Sequence, residues 1–508
     1  MKKLPIGIQS FSKMIEGGFV YLDKTELIYK LANTEACYFL SRPRRFGKSL
    51  TLSTLHEYFN GRKDLFVGTK MEQLEQKWDK YPVLHFDFNA SSYKTVDDVI
   101  SRISFMLSEY EDEYGRNPNA STNSERFQSL ITTIAKKTGK KVVILVDEYD
   151  KPLLNNILND NLKDKIRTVL KPFYGVLKTC DTQIKMAFVT GVTKFSKVSL
   201  FSDVNNMTDI SNMLDYSTIC GATEREIHDK LDEYVQRLAD KEGLSKDDCY
   251  YKLRDWYGGY HFSPSSNEIF NPIGLTYALE QKHISYYWFE NGTPSFLVKL
   301  IKKYNLDLET IDNYRCKHDE LSIIPNFEIN PAPILLLCGY YTIKGFDNDS
   351  YILGFPNCET AQELTNYILN LNYPKIGYDF ISLASKVRSG NIDSFMKRLS
   401  ALLADSSYEI VGEAEKYFQN VFYLIFKLLG FYSEVERNTS DGRMDAVVKT
   451  PQYIYVFEFK LDKPAQEALD QINSKDYPLP FTIDGRKLFK VGVSFSSDTR
   501  KVAEWVKE

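Results

Sequence analysis

Paired cysteines are missing from this sequence. The seven that occur, Cys37, Cys180, Cys220, Cys249, Cys316, Cys338 and Cys358, are odd in number and scattered, with no CxxC spacing. That pattern argues against a disulfide framework and a cysteine-rich zinc site, and it fits a reducing compartment. An excess of one charge is missing too: 64 Lys and Arg against 68 Asp and Glu leave a formal net charge of -4. A protein that coats nucleic acid non-specifically needs many Lys and Arg contacts to phosphate, so the balance excludes that class while leaving room for a local basic groove. No apolar run approaches the ~18–20 residues that span a bilayer; the longest lies around Ile334 to Tyr341. Pro5, Gly7, Gln9 and Ser10 interrupt any apolar stretch behind Lys2 and Lys3, so a secretory signal is not expected. Low-complexity tracts and solenoid repeats are also absent. The expectation is a soluble cytoplasmic protein with no membrane partner.

What is present is a chain of 508 residues, 43% hydrophobic and 26% charged, rich in Tyr (34) and Phe (32). Single cores stop growing near ~250–300 residues, so at least two domains are expected. The aromatics favour packed cores without being diagnostic of a ligand.

The run Ala36 to Leu40 predicts a buried strand, which enters Ser41-Arg-Pro-Arg-Arg-Phe-Gly-Lys-Ser49; Leu50 to Phe59 then carries apolar residues at helical spacing. Strand, loop, Gly47-Lys48-Ser49 and helix is the layout of a P-loop. In such a loop the N–H groups and the positive helix end meet phosphate, Lys48 reaches the β/γ oxygens, and Ser49 can ligate Mg²⁺. Arg45, Phe46, Gly47, Lys48 and Ser49 are the candidate nucleotide-binding residues. One departure is plain: Arg42 stands where the first glycine of the motif belongs, and Pro43 offers no N–H. A bare GKS is weak evidence by itself.

A second segment strengthens it. Lys141 to Val146 is an apolar strand ending in Asp147 and Glu148, where a P-loop fold keeps its Mg²⁺ ligand and its water-polarising base. Asp147 is the candidate for Mg²⁺, through water or Ser49, and Glu148 for polarising the attacking water. The bland alternative is a buried strand and a solvated acidic turn. Another strand, Ile184 to Thr190, would end near the same sheet edge, making Thr190 a candidate γ-phosphate sensor, although a threonine ending a strand is often only structural. With Tyr81 to Phe88 these segments give an alternating α/β pattern.

These words together resemble a known family. Tyr21-Leu-Asp-Lys-Thr25, Ser41 to Ser49, Val146-Asp-Glu-Tyr-Asp-Lys-Pro-Leu153, Thr190-Gly-Val-Thr-Lys-Phe-Ser196, Phe201-Ser-Asp-Val-Asn-Asn206 and Trp256-Tyr-Gly-Gly-Tyr-His-Phe262 are similar to the bacterial AAA-ATPase-like proteins fused to a PD-(D/E)XK nuclease domain. The resemblance spans nearly the whole chain. It implies that Arg42 is a family trait and not a decayed site, and that ATP and Mg²⁺ are the cofactors.

The middle carries no chemistry of its own. Thr223 to Gly259 predicts a helical lid, and Trp256 to Phe262 a tight aromatic turn made for packing. A helix over Pro333 to Gly339 followed by strands 340–344 and 351–355 resembles a winged helix. Its wing holds Asp347 and Asp349 in place of basic residues, so packing is a better expectation for it than DNA binding.

Toward the C-terminus, Glu413 to Leu429 predicts an amphipathic helix, and strands are expected at 431–436, 443–448 and 453–460. Asp445 would open one strand, and Glu458 and Lys460 would share a face at the end of its neighbour. That matches D-x(n)-E-x-K, in which acids hold Mg²⁺ or Mn²⁺ and the lysine orients or activates water. The resemblance further implies Glu415 as the helical acid of the metal set and Gln471 as a contact to water or phosphate. The alternative for an isolated E-x-K is an ordinary strand-end salt bridge.

The expected fold class is α/β: a P-loop AAA-like domain (1–216), a helical lid (217–300), a winged-helix-like region (301–390) and a restriction-endonuclease-like PD-(D/E)XK domain (391–508). The expected function is ATP binding and hydrolysis coupled to metal-dependent cleavage of DNA or RNA, with a homo-oligomer possible. The alternative is a signalling ATPase whose C-terminal domain binds nucleic acid or a protein without cleaving.

Overall fold

The structure is a computed structural model that describes the chain except residues 90, 194–199, 202–203, 205, 289–296, 298–313, 318–331, 373–381, 405–424, 426–433, 441–442, 451, 476–484 and 500. Two compact units emerge, one formed by 1–305 with 312–360 and the other by 306–311 with 361–508. The expected helix Glu413–Leu429 falls outside the described residues except for Ile425, which is buried.

At the heart of the first unit lies a five-stranded parallel sheet made of β1 (Cys37–Ser41), β2 (Val83–Asp87), β3 (Val142–Asp147), β4 (Ile184–Gly191) and β5 (Met207–Asp209), in the order β2-β3-β4-β1-β5. β1 and β3 are buried along their whole length, as parallel strands covered on both faces must be. On one face the helix Lys48–Phe59 brings Leu52, Leu55 and Phe59 onto Val143, Leu145 and Phe188. On the other, Phe86 packs edge-to-face on Phe127 and Phe173 of the helices Asn123–Thr138 and Asp160–Thr179. The strand order decides the site. β4 lies between β1, which feeds the loop, and β3, which carries the acids, so all three strand ends open on one edge.

After the sheet, helices form over the stretch where the apolar spacing is helical. Thr223 caps the helix Glu224–Glu242 in a capping box with Glu226, and Gly243 ends it at φ +70°. Ile227, Leu231, Val235 and Leu238 make a core with the helices Lys246–Tyr257 and Pro272–Gln281. Leu4 and Val20 of the N-terminal segment join that core, and Lys24 pairs with Glu226 at 2.6 Å.

The aromatic turn packs against the loop that leads into the helix Lys48–Phe59. Phe46 sits edge-to-face against Tyr260 and Phe262. Gly259 has φ +80°, and a Cβ there would stand 1.9 Å from the Pro356 carbonyl. Beyond it come the helix Ala332–Cys338 and a sheet of β6 (Tyr314–Lys317), β7 (Thr342–Asp347) and β8 (Ser350–Gly354), in the order β6-β8-β7. Asn348 and Asp349, both at positive φ, turn β7 into β8.

The second unit carries a mixed sheet, ordered β13-β12-β11-β10-β9, of β9 (Glu434–Ser440), β10 (Arg443–Lys449), β11 (Tyr453–Leu461), β12 (Lys487–Ser496) and β13 (Lys501–Lys507). β11 and β12 run parallel, joined through the helix Ala465–Ser474 that lies on them. Gly492 makes that approach possible, since a Cβ there would meet the Ala465 carbonyl at 2.4 Å.

Candidate functional site

The loop from Arg42 to Gly47 is a strained connection. Arg45 has φ +67° and Gly47, which caps the helix Lys48–Phe59, has φ +101°. A non-glycine residue at positive φ costs energy and persists where surrounding contacts impose it, commonly at ligand sites. The Lys48 ammonium is buried and donates to the loop's own carbonyls, Arg42 O at 2.9 Å and Pro43 O at 3.0 Å. Burial pulls the Lys48 pKa below its ordinary value, and the carboxylates of Glu148 and Asp147 work against that pull.

Across the sheet edge, Ser49 Oγ donates to Asp147 Oδ2 at 2.6 Å, and Thr190 Oγ1 donates to Asp147 Oδ1 at 2.7 Å. Three sequence-predicted residues from three separate elements thus meet at one carboxylate. Glu148, next in the chain, adopts φ +49°, which takes it out of the strand geometry that Asp147 keeps. Its carboxylate faces Lys151 at 3.4 Å, and Lys151 also donates to Asn89 at 2.9 Å.

Lys48, Ser49 and Glu148 border a cavity of about 270 Å³ also lined by Arg44, Arg45, Gly47, Asn89 and Lys151, and by Pro5, Ile8, Gln9, Pro272 and Thr276 from the N-terminal segment and the helical region after the sheet. A second cavity, about 100 Å³ and almost wholly apolar, shares Pro5, Met14, Gly47, Leu50, Pro272 and Thr276 with it. Sequence reasoning missed this N-terminal and lid contribution, which no local motif marks.

Two of the sequence-predicted residues stand back from the larger cavity. The Phe46 side chain does not line the larger cavity; it is buried against Tyr260 and Phe262 and borders only the apolar one. Thr190 is fully buried and bonded to Asp147, so its hydroxyl reaches the cavity only through that carboxylate.

Arg42 finds its explanation here as well. Its guanidinium is buried, donates to Ser41 O at 2.9 Å and Ser211 O at 2.7 Å, and lies 4.0 Å from the Phe262 ring centroid. Burial pushes its pKa down to about 10. The side chain therefore points into the protein and leaves the cavity free.

In the second unit, Glu458 and Lys460 share one face of β11. Glu458 is fully buried, and Lys460 Nζ donates to Glu458 Oε1 at 3.0 Å and to Gln471 Oε1 at 2.6 Å. Gln471 stands on the helix Ala465–Ser474, and its amide nitrogen is buried with no partner among the described residues. Ala446 of β10 pairs with Phe457, so Asp445 and Glu458 are the next residues along on adjoining strands. The Asp445 side chain and the whole of Glu415 lie outside the described residues. Among the described residues, no three His, Cys, Asp or Glu side chains gather as a metal site.

Comparison with known proteins matches both ends of the chain. Residues 5–201 fit the family described as "Predicted AAA-ATPase", and residues 413–505 fit the PD-(D/E)XK nuclease superfamily. A protein of Azotobacter chroococcum mcd 1, described as "Uncharacterized protein in vnfD 5'region", is 34% identical over 525 aligned positions, covering 100% of this chain and 99% of that one. The chain belongs to the AAA-ATPase-like proteins with a C-terminal PD-(D/E)XK domain. In this AAA-ATPase-like protein the family assignment and the α/β fold agree with the expectation from sequence. Among the described residues no helix is long and apolar enough to cross a membrane.

Proposed function

We propose that the first unit binds and hydrolyses ATP in the larger cavity, and that the C-terminal domain cleaves nucleic-acid phosphodiesters under the control of that cycle. The observation that carries the first half is the meeting of Ser49, Asp147 and Thr190 at one carboxylate, beside a cavity lined by Lys48 and Glu148. Serine and aspartate oxygens are hard donors of the kind Mg²⁺ takes, and Mg²⁺ there would supply charge neutralisation on the β/γ oxygens.

The chain's own residues do the rest. Lys48 exchanges its two loop carbonyls for phosphate oxygens, an electrostatically favourable trade for an ammonium pressed by burial. Pro43 lacks an N–H, so the backbone donors come from the later part of the loop and the start of the helix Lys48–Phe59. Glu148 takes a proton from the attacking water. The adjoining apolar cavity suits the base, which would lie between the N-terminal segment and the lid.

At the second site, the buried Glu458 and Lys460 follow the E-x-K pattern, and the Asp445 register adds a second acid position. Carboxylate oxygens are hard donors of the kind Mg²⁺ and Mn²⁺ take, and a divalent cation held by Asp445 and Glu458 would supply charge neutralisation and an activated water. Lys460 would then orient the nucleophile and Gln471 the phosphate.

The test uses full-length protein. Lys48→Ala should abolish ATP binding by calorimetry and phosphate release. Glu458→Ala should keep ATP turnover but lose cleavage of single- or double-stranded DNA or RNA with Mg²⁺ or Mn²⁺. Equal ATP binding by wild type and Lys48→Ala would defeat the first half. Identical behaviour of wild type and Glu458→Ala on every nucleic acid would leave a C-terminal domain that binds without cutting.

A further inference from the structure

The phosphate loop contains three arginines, and the structure gives each a different environment. Arg42 is buried and bonded to carbonyls, and Arg45 is exposed. Arg44 is half-buried and lines the cavity beside Lys48, Ser49 and Glu148, yet its side chain makes no hydrogen bond or ion pair among the described residues, and its Nε is buried without a partner. The one carboxylate of the acid pair that lines this cavity, Glu148, pairs with Lys151 instead.

A guanidinium keeps its charge at any ordinary pH, so partial burial without an anion costs free energy that an arriving anion would recover. The backbone that carries Arg44 is held in place beforehand. The Pro43 ring fixes the φ of the residue just before Arg44, and a Cβ on Gly339 would come within 2.7 Å of that ring, so the two are closely packed. Trp288 Nε1 donates to the Arg44 carbonyl at 3.2 Å, while the Trp288 N–H is itself taken by the buried Glu359 at 2.7 Å. A preorganised cation with no counter-ion among the described residues, on the wall of this cavity, is the arrangement that stabilises charge developing in a transition state.

We propose that Arg44 is a catalytic residue of the ATPase, an arginine supplied in cis from inside the phosphate loop, which contacts the γ-phosphate of bound ATP. This rests on reading the cavity as an ATP site. In the step it serves, a water oxygen bonds to the γ-phosphorus and its proton passes to Glu148. The bond from that phosphorus to the β–γ bridging oxygen breaks, and its electron pair stays on ADP. Arg44 neither gives nor accepts a proton; it neutralises charge on the γ-phosphoryl oxygens, and Trp288 acts as a positioning residue behind it.

The experiment compares full-length wild type, Arg44→Ala and Arg44→Lys. It measures phosphate release, ADP affinity, and trapping of ADP with Mg²⁺ and aluminium fluoride as a mimic of the transferring phosphoryl group. Arg44→Ala should lose turnover by roughly 10³-fold and fail to trap the mimic, with ADP affinity within about 3-fold of wild type, since ADP lacks the group that Arg44 meets. Arg44→Lys, which keeps the charge without the planar fork, should hydrolyse at an intermediate rate. If Arg44→Ala fails to fold, the trapping result for Arg44→Lys decides, and undiminished trapping with wild-type turnover overturns the assignment. Wild-type turnover in Arg44→Ala, or ADP affinity lost in step with turnover, also overturns it. A wild type that neither binds nor hydrolyses ATP would show instead that the cavity reading fails, and Arg44 falls with it.

Discussion

At the residue scale, the loop from Arg42 to Gly47 is divided between side chains that face inward and side chains that face the cavity. Arg42 occupies a position where the motif asks for glycine, and from sequence alone that looks like a weakness. In the fold it is a fastening: its guanidinium bonds Ser41 O and Ser211 O, reaches Tyr216 O at 3.3 Å, and stacks on Phe262. Restoring the motif by Arg42→Gly should therefore harm the protein. Those buried carbonyls would lose their donor and a side-chain-sized void would open, so a loss of about 3 kcal/mol is expected. The urea midpoint of the first unit checks it, and a variant as stable as wild type would contradict this account. Asp150 belongs to the same scale. It was not singled out from sequence, yet it is buried, and its Oδ2 accepts the N–H groups of Val192 at 3.0 Å and Thr193 at 2.6 Å, fixing the turn after β4. Burial raises its pKa. Nothing in a D-E-Y-D word distinguishes that structural acid from the two that precede it.

At the element scale, capping decides where the helices begin, and sequence shows it well. Thr95, Thr122 and Thr223 each build a capping box with an acid three residues on. In the box at Thr122, the Glu125 carboxylate accepts the N–H groups of Thr122 and Ser121, both at 2.9 Å, which pulls its pKa down to about 2 from an ordinary 4.5. A carboxylate whose pKa is lowered by folding stabilises above its unfolded value, and that contribution fades as pH falls toward the folded one. The thermal midpoint of Glu125→Gln should therefore lie below that of wild type at neutral pH, and the gap should narrow between pH 4.5 and about 2. A gap that stays constant across that window would rule the cause out. Glu226 has a second duty that sequence does not show: besides its box with Thr223 it binds Lys24, 202 positions away, tying the N-terminal segment to the lid. Glu226→Ala should cost about 2 kcal/mol, as lost hydrogen bonds to a charged group do. It should also weaken ATP binding, because Pro5, Gly7, Ile8 and Gln9 line the cavity from that segment. Unchanged ATP affinity by calorimetry would separate the tie from the site.

At the scale of the whole molecule, two compact units should answer differently to ligand. Calorimetry of the full chain should resolve two transitions, and ADP with Mg²⁺ at a hundred times its Kd should stabilise one of them by about 2.7 kcal/mol and leave the other in place. Equal shifts of both would mean that the units unfold as one. Sequence by itself determined the strands that feed the site, because an apolar run ending in a fixed chemical word is a local signal: Cys37–Ser41 before the loop, Val142–Asp147 before the acids, Tyr453–Leu461 carrying Glu458 and Lys460. It also marked Ser49, Asp147 and Thr190 as candidates. Their meeting depended on β4 lying between β1 and β3, a pairing between segments far apart in the chain that no local pattern records. Tertiary structure alone separated Arg42 from Arg44, adjacent but one, turning the first inward to carbonyls and leaving the second on the cavity wall. It alone brought Trp288 and Gly339 onto the loop. The physical reason is common to all of these: a motif fixes which atoms are available, whereas burial, counter-charge and reach depend on what the rest of the chain packs against them.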